Sequence, residues 1–208
     1  MPYFKEFNVL FIHIPKTGGS NIENYFFYKS KKKPNINNLL SNNLNIKINN
    51  HSFQHMTFKE YYQNKEYFNL NFVNIKLISV VRNPYDRIIS DLFYLKIANK
   101  NNSQKEIENI IKNYLDNNMM YDNHKLEQYK FLINDNNIIH PNILILRCEE
   151  LNQHMENIGF KDFSDFCTLT NTNLSKNKNY MQYLNKNSIQ LINDFYKLDF
   201  EYFNYKMF

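Results

Sequence analysis

Six consecutive residues, Pro15-Lys16-Thr17-Gly18-Gly19-Ser20, bring together a cation, two hydroxyls and two adjacent glycines. These are the groups that hold an oxyanion. Glycine lets the backbone approach a ligand closely, and the free N–H groups at a helix N-terminus point at negative charge. The chain has only 3 glycines, so an adjacent pair is a poor fit to generic loop filler. The order is not that of a Walker A loop, in which Lys follows the second glycine; Lys16 precedes both. A second set lies in Arg82-Asn83-Pro84-Tyr85-Asp86-Arg87-Ile88-Ile89-Ser90. The planar fork of Arg82 can bind two oxygens of a phosphate. Arg87 shares a helix face with Ser90; Arg87 and Asp86 read as a structural ion pair. Histidine is the side chain that exchanges protons near neutrality, and the chain has 6. His13 falls in a strand and reads as a core histidine. His124, His140 and His154 sit in or beside helical and turn segments. His51 and His55 fall between the two anion-binding segments.

Both segments need elements to hold them. The apolar run before Pro15 reads as a buried strand over 8–14, and the pattern after Gly19 as a helix over 18–29. Lys76 to Val81 reads as a second buried strand, over 75–81. Asn83 is suited to the N-cap and Pro84 to the first position of a helix over 84–97. Arg82 then stands at the carboxyl end of its strand, the edge at which open α/β sheets bind ligands. Further expectations are a short helix near 57–63, helices near 104–118 and 122–135, and a strand over 142–147. Helices near 149–157 and 161–167, a loop over 170–179 and a helix over 187–203 complete the pattern. Strands alternate with helices, which predicts one α/β domain over 1–208 with a small parallel sheet flanked by helices on both faces. Residues 30–50, rich in Asn, Lys and Ser, read as a partly mobile surface loop.

Composition narrows the classes. At 208 residues the chain is long enough for one substantial core. A net charge of +5 suits a polyanionic ligand without demanding nucleic acid, and no nucleic-acid-binding motif is present. The cluster Lys29, Lys31, Lys32 and Lys33 reads as a solvated loop. Cys148 and Cys167 are too few and too far apart for a disulfide framework or a zinc site, and read as buried free thiols. No signal peptide, anchor or membrane-spanning stretch is legible, so the expected location is soluble and intracellular. The sequence specifies no oligomeric state.

The Lys16 segment resembles the 5′-phosphosulfate loop of sulfotransferases that use PAPS (3′-phosphoadenosine-5′-phosphosulfate), and the Arg82 segment resembles their 3′-phosphate motif. The likeness is greatest to the carbohydrate family that includes the heparan sulfate 2-O- and 6-O-sulfotransferases and small microbial relatives. His55-Met56-Thr57-Phe58-Lys59-Glu60, Gln128-Tyr129-Lys130-Phe131-Leu132, the run from Ile143 to Leu151, and Leu174-Ser175-Lys176 with Tyr180 and the stretch from Phe195 to Phe200 resemble further family segments. The resemblance covers almost the whole chain and implies a P-loop-like sulfotransferase fold. It implies that Lys16, Thr17, Gly18, Gly19 and Ser20 bind the 5′-phosphosulfate, and Arg82 and Ser90 the 3′-phosphate. PAPS is then the co-substrate and PAP (adenosine 3′,5′-bisphosphate) the product, with a glycan as the favoured acceptor and peptide tyrosine or lipid acceptors left open by the sequence. His55 aligns with the catalytic histidine, with His51 as assistant or substitute. Lys16 supplies the cation beside the leaving oxygen, and no metal is required. Glu60 is the alternative base. The competing readings are a non-catalytic PAP- or nucleotide-binding protein of the same fold and a P-loop-type small-molecule kinase.

Overall fold

The computed structural model describes residues 2–31, 51–170 and 179–208. The segment 32–50, with Lys32 and Lys33 of the basic cluster and most of the expected 30–50 loop, lies outside the described residues. So does 171–178, with Leu174, Ser175 and Lys176.

A four-stranded sheet carries the fold, in the order β1 (Tyr3–Phe4), β2 (Val9–Ile12), β3 (Lys76–Val81), β4 (Ile143–Arg147). β2, β3 and β4 run parallel, with Val9 opposite Lys76 and Leu77 opposite Ile143. The two-residue β1 adds an antiparallel edge that the sequence pattern did not predict. Every residue of β2 is fully buried. That is why this strand reads as an unbroken apolar run rather than an alternation.

The pleat sends alternate residues to opposite faces. Val9, Phe11, Ile78, Val80 and Leu146 pack under α1 (Gly19–Lys29), with Leu151 and Met155 of α6 (Leu151–Asn157) and Phe163 and Phe166 of α7 (Phe163–Leu169). Leu10, Ile12, Leu77, Val81 and Ile143 face Phe53, Met56, Phe131, Leu132 and α2 (Phe58–Gln63). A short α3 (Lys65–Phe68) follows α2. A third cluster joins α4 (Pro84–Tyr94) to α5 (Gln104–Asp116), α8 (Lys186–Phe195) and α9 (Lys197–Phe203). The architecture is the α/β fold read from the sequence, with a mostly parallel sheet. No helix among the described residues is long and apolar enough to cross a membrane.

Local signals place most boundaries. Asn83 accepts from the Tyr85 N–H ahead of α4 (3.0 Å), and Pro84 opens the helix as expected. Thr57 with Glu60, and Ser103 with Glu106, form reciprocal capping boxes before α2 and α5. Two expectations fail. The helix over 122–135 is absent: Tyr121, Asp122 and Asn123 are all left-handed (φ 51, 58 and 63), followed by a 3₁₀ turn at Gln128–Phe131. Asp and Asn accept this conformation by bonding locally through their side chains. The helix over 187–203 breaks at Tyr196 into α8 and α9. Beyond the break, the buried Asp199 carboxylate accepts the backbone N–H groups of Gln128 and Tyr129, both at 2.9 Å.

Candidate functional site

The carboxyl ends of β2 and β3 open into a cleft of ≈ 290 Å³. On one side lies the loop from Pro15 to Gly18, ending at the N-terminus of α1. Lys16 and Gly18 take positive φ (65° and 92°), and Gly18 is the N-cap. The loop is tied down from below. Thr17 donates its hydroxyl to the Ile14 carbonyl at 2.8 Å, Arg87 donates to the Pro15 carbonyl at 3.1 Å, and Arg82 to the Lys16 carbonyl at 3.1 Å. Lys16, Gly18, Gly19 and Ser20 line the cleft. Thr17 is fully buried with its hydroxyl committed to the turn, so it shapes the loop without lining the cleft.

Gly19 is fixed by a neighbour. A Cβ there would sit 2.6 Å from two ring atoms of His13 and 2.9 Å from Phe11. Only glycine lets the imidazole lie against the start of α1.

Arg82 and Ser90 line the same cleft from the end of β3 and from α4. Arg82 is held at both levels. The amide side chain of Gln128 accepts from its backbone N–H and donates to its carbonyl, both at 2.9 Å, while its guanidinium lies 5.3 Å from the Tyr180 ring. Arg87 is structural, but not by pairing with Asp86 as expected. It is buried and also donates to the His124 carbonyl at 2.7 Å. Lys29 of the basic cluster pairs with Asp162 at 2.7 Å.

Three histidines form a wall of the cleft. The His55 ring stands edge-on to His13 (5.3 Å) and to His124 (5.1 Å), and all three line the cavity. Each rests its Nδ1 on a carboxylate: His13 on Glu23 (2.8 Å), His55 on Asp122 (2.8 Å) and His124 on Asp91 (2.5 Å). Tyr114 also donates to Asp91, at 2.6 Å. His13 is therefore not merely a core histidine, and His124, outside every matched segment, is a wall residue. Tyr94 stacks on His124 at 5.4 Å and carries the Lys16 ammonium 3.9 Å from its ring. His13, Gln54, Tyr94, His124, Cys148 and Tyr180 are the lining residues that sequence reading missed.

Burial pulls the His55 pKa below the usual histidine range. The Asp122 hydrogen bond opposes that fall, and the two neighbouring histidines add to it. His51 lies apart from the cleft lining. Burial lowers it, but hydrogen bonds to Glu60 and the Ser52 carbonyl and the Glu60 charge carry it upward overall. Glu60 accepts from Thr57 N and Oγ1 and pairs with His51, all at 2.8 Å, so it is a helix cap rather than a cleft carboxylate. Burial opposes ionisation of Asp122, but hydrogen bonds from His55 and Ser52 prevail and hold it at about 2. Cys148 is a buried thiol outside any disulfide, pushed up to about 11 by burial, and Cys167 is likewise buried and in no disulfide. Among the described residues, His55, Asp122 and His124 offer donor atoms within 4.8 Å of one another that could surround a cation. A cation there would have to displace the 2.8 Å hydrogen bond between His55 and Asp122.

The geometry thus defines a class: an α/β protein in which a strand–loop–helix with a lysine and adjacent glycines, an arginine–serine pair and three histidines surround one cleft. A family model described as "Sulfotransferase family" matches residues 3–206, and the chain belongs to that family. Searches of curated proteins and of solved structures found no match.

Proposed function

We propose that this sulfotransferase moves a sulfuryl group from PAPS to an acceptor hydroxyl, with a carbohydrate as the favoured acceptor. The observation that carries the reading is that the Lys16–Ser20 loop, Arg82 with Ser90, and His55 line one cavity. In this reading the backbone N–H groups at the start of α1 and Lys16 hold the 5′-phosphosulfate. Arg82 and Ser90 hold the 3′-phosphate, a charge-assisted contact worth about 1.5–3 kcal/mol. His55 removes the acceptor proton as the new S–O bond forms, and Lys16 neutralises the charge that develops on the departing 5′-phosphate. Sulfuryl transfer needs a base and a cation, and the residues that line the cleft supply both. Glycan acceptors fit the resemblance noted in the sequence.

Two measurements test this. Calorimetry with PAP, ADP and ATP should show a clear preference for PAP; a preference for ATP would point to a kinase. Labelled PAPS, offered to panels of glycans, peptides and lipids, should label the glycans. In that assay Lys16→Ala should lower turnover on the order of 10²-fold. Tight PAP binding with no transfer to any panel would leave a binding protein instead.

A further inference from the structure

The chain makes a left-handed turn at 121–123, against the segment that carries His55. None of its three residues is glycine, yet all adopt positive φ. The turn is braced from outside: Tyr121 stacks on Tyr114 at 5.1 Å and accepts from Asn117 at 3.0 Å. What it presents is a grip on the segment that carries His55. Asp122 accepts from the Ser52 backbone N–H (2.5 Å), from the Ser52 hydroxyl (3.0 Å) and from His55 Nδ1 (2.8 Å). Asn123 donates to the His55 carbonyl at 3.0 Å.

The tautomer of His55 follows from its partners. Nδ1 lies 3.0 Å from the Asp122 backbone carbonyl as well as 2.8 Å from its carboxylate. A carbonyl only accepts, so the proton sits on Nδ1 and the lone pair on Nε2. Nε2 has no hydrogen-bond partner among the described residues, and His55 lines the cleft.

We propose that Asp122 is the positioning residue of this site: its carboxylate and carbonyl hold His55 as the Nδ1–H tautomer, so that Nε2 serves the cleft as proton acceptor. The inference rests on the role proposed above for His55. During transfer, Nε2 takes the acceptor hydroxyl proton while the new oxygen–sulfur bond forms and the bond from sulfur to the 5′-phosphate oxygen breaks. The Asp122 carboxylate stays ionised and balances the imidazolium, which returns its proton to water after the products leave. The charged or titratable groups that act on His55 are Asp122, His13 and His124; both histidines oppose a charge on it and Asp122 favours one. Without the Asp122 charge, His55 should protonate only at a still lower pH.

The test compares wild type with Asp122→Asn and Asp122→Glu. Asp122→Asn should lower kcat by about 10²-fold or more, keep PAP affinity within about twofold, and move the acid limb of the pH–rate profile downward. Asp122→Glu, which restores a carboxylate, should recover part of the loss. Equal losses in both variants with an unmoved acid limb, or a wild-type kcat in Asp122→Asn, would overturn the proposal. Nitrogen-15 NMR of the unliganded wild-type protein needs no variant: it should show His55 as the Nδ1–H tautomer, and the Nε2–H tautomer would overturn the proposal alone. A protein that shows the Nδ1–H tautomer but transfers nothing from PAPS would sink the sulfotransferase mechanism while supporting the Asp122–His55 pairing.

Discussion

His51 and His55 are four residues apart, yet their nitrogens are used in opposite ways. His51 Nδ1 lies 3.0 Å from the Ser52 carbonyl and Nε2 lies 2.8 Å from Glu60. Both partners accept, so below its raised pKa the ring carries protons on both nitrogens and has no lone pair to offer. Its raised pKa has the same origin. The His51–Glu60 pair therefore stabilises the fold fully below the ordinary histidine pKa of about 6.5 and loses that contribution as pH rises through the raised value. His55, lowered by burial, stays neutral and able to accept a proton down to a pH below about 6.5. His55→Ala should lose roughly 10²–10⁴-fold in turnover while PAP affinity stays within about twofold. His51→Ala should chiefly lower the melting temperature. A dead His51→Ala beside an active His55→Ala in a PAPS turnover assay would reverse the assignment.

At the scale of elements, the strand–loop–helix over β2 and α1 and that over β3 and α4 were both legible in the sequence, because their signals are local. Apolar runs mark the strands, and Gly18 and Asn83 mark the helix starts. What was not legible depends on partners far along the chain. Asp122 reaches His55 across 67 positions, and Gln128 pairs with the Arg82 backbone across 46. No periodicity announces either contact, and the same contacts dissolve the expected helix over 122–135. His13 and His124 were missed for a related reason: their value lies in standing on either side of His55. Gly19 shows how tightly this wall is built. Gly19→Ala would press a methyl group against His13, an overpacking cost of about 1–3 kcal/mol. It should lower both the melting temperature and PAP affinity. Gly159→Ala is the control: its φ of 103° brings strain, but nothing lies within 4 Å of the added carbon. That variant should melt earlier with PAP affinity unchanged, whereas normal PAP binding by Gly19→Ala would show that the His13–Gly19 contact is dispensable.

Across the whole molecule, the cleft is where separately held layers meet. Gly18 to Ser20 belong to the N-terminus of α1, His55 to the segment ahead of α2, Ser90 and Tyr94 to α4, and Tyr180 to the third cluster. A bisphosphate nucleotide spanning the Lys16 and Arg82 sites would pin these layers together, and it would bind the folded chain alone. At a hundredfold excess over Kd, such a ligand stabilises by about 2.7 kcal/mol. For a chain of this size that corresponds to a rise in melting temperature of roughly 5–10 °C. AMP, which lacks the 3′-phosphate, should raise it less at the same concentration. Arg82→Ala should bring the PAP shift most of the way to the AMP shift, with Ser90 keeping a remainder, and should lower the AMP shift less, since Arg82 reaches the 5′ loop only through the Lys16 carbonyl. The net charge of +5 adds a salt dependence, because exposed parts of the attraction are screened over about 10 Å at 0.1 M. The PAP shift should therefore shrink with added salt more than the AMP shift does. Equal shifts for PAP and AMP in the wild-type protein would remove the 3′-phosphate site from the argument. Arg82 would then be a clamp on the Lys16 carbonyl, a contact it already makes at 3.1 Å.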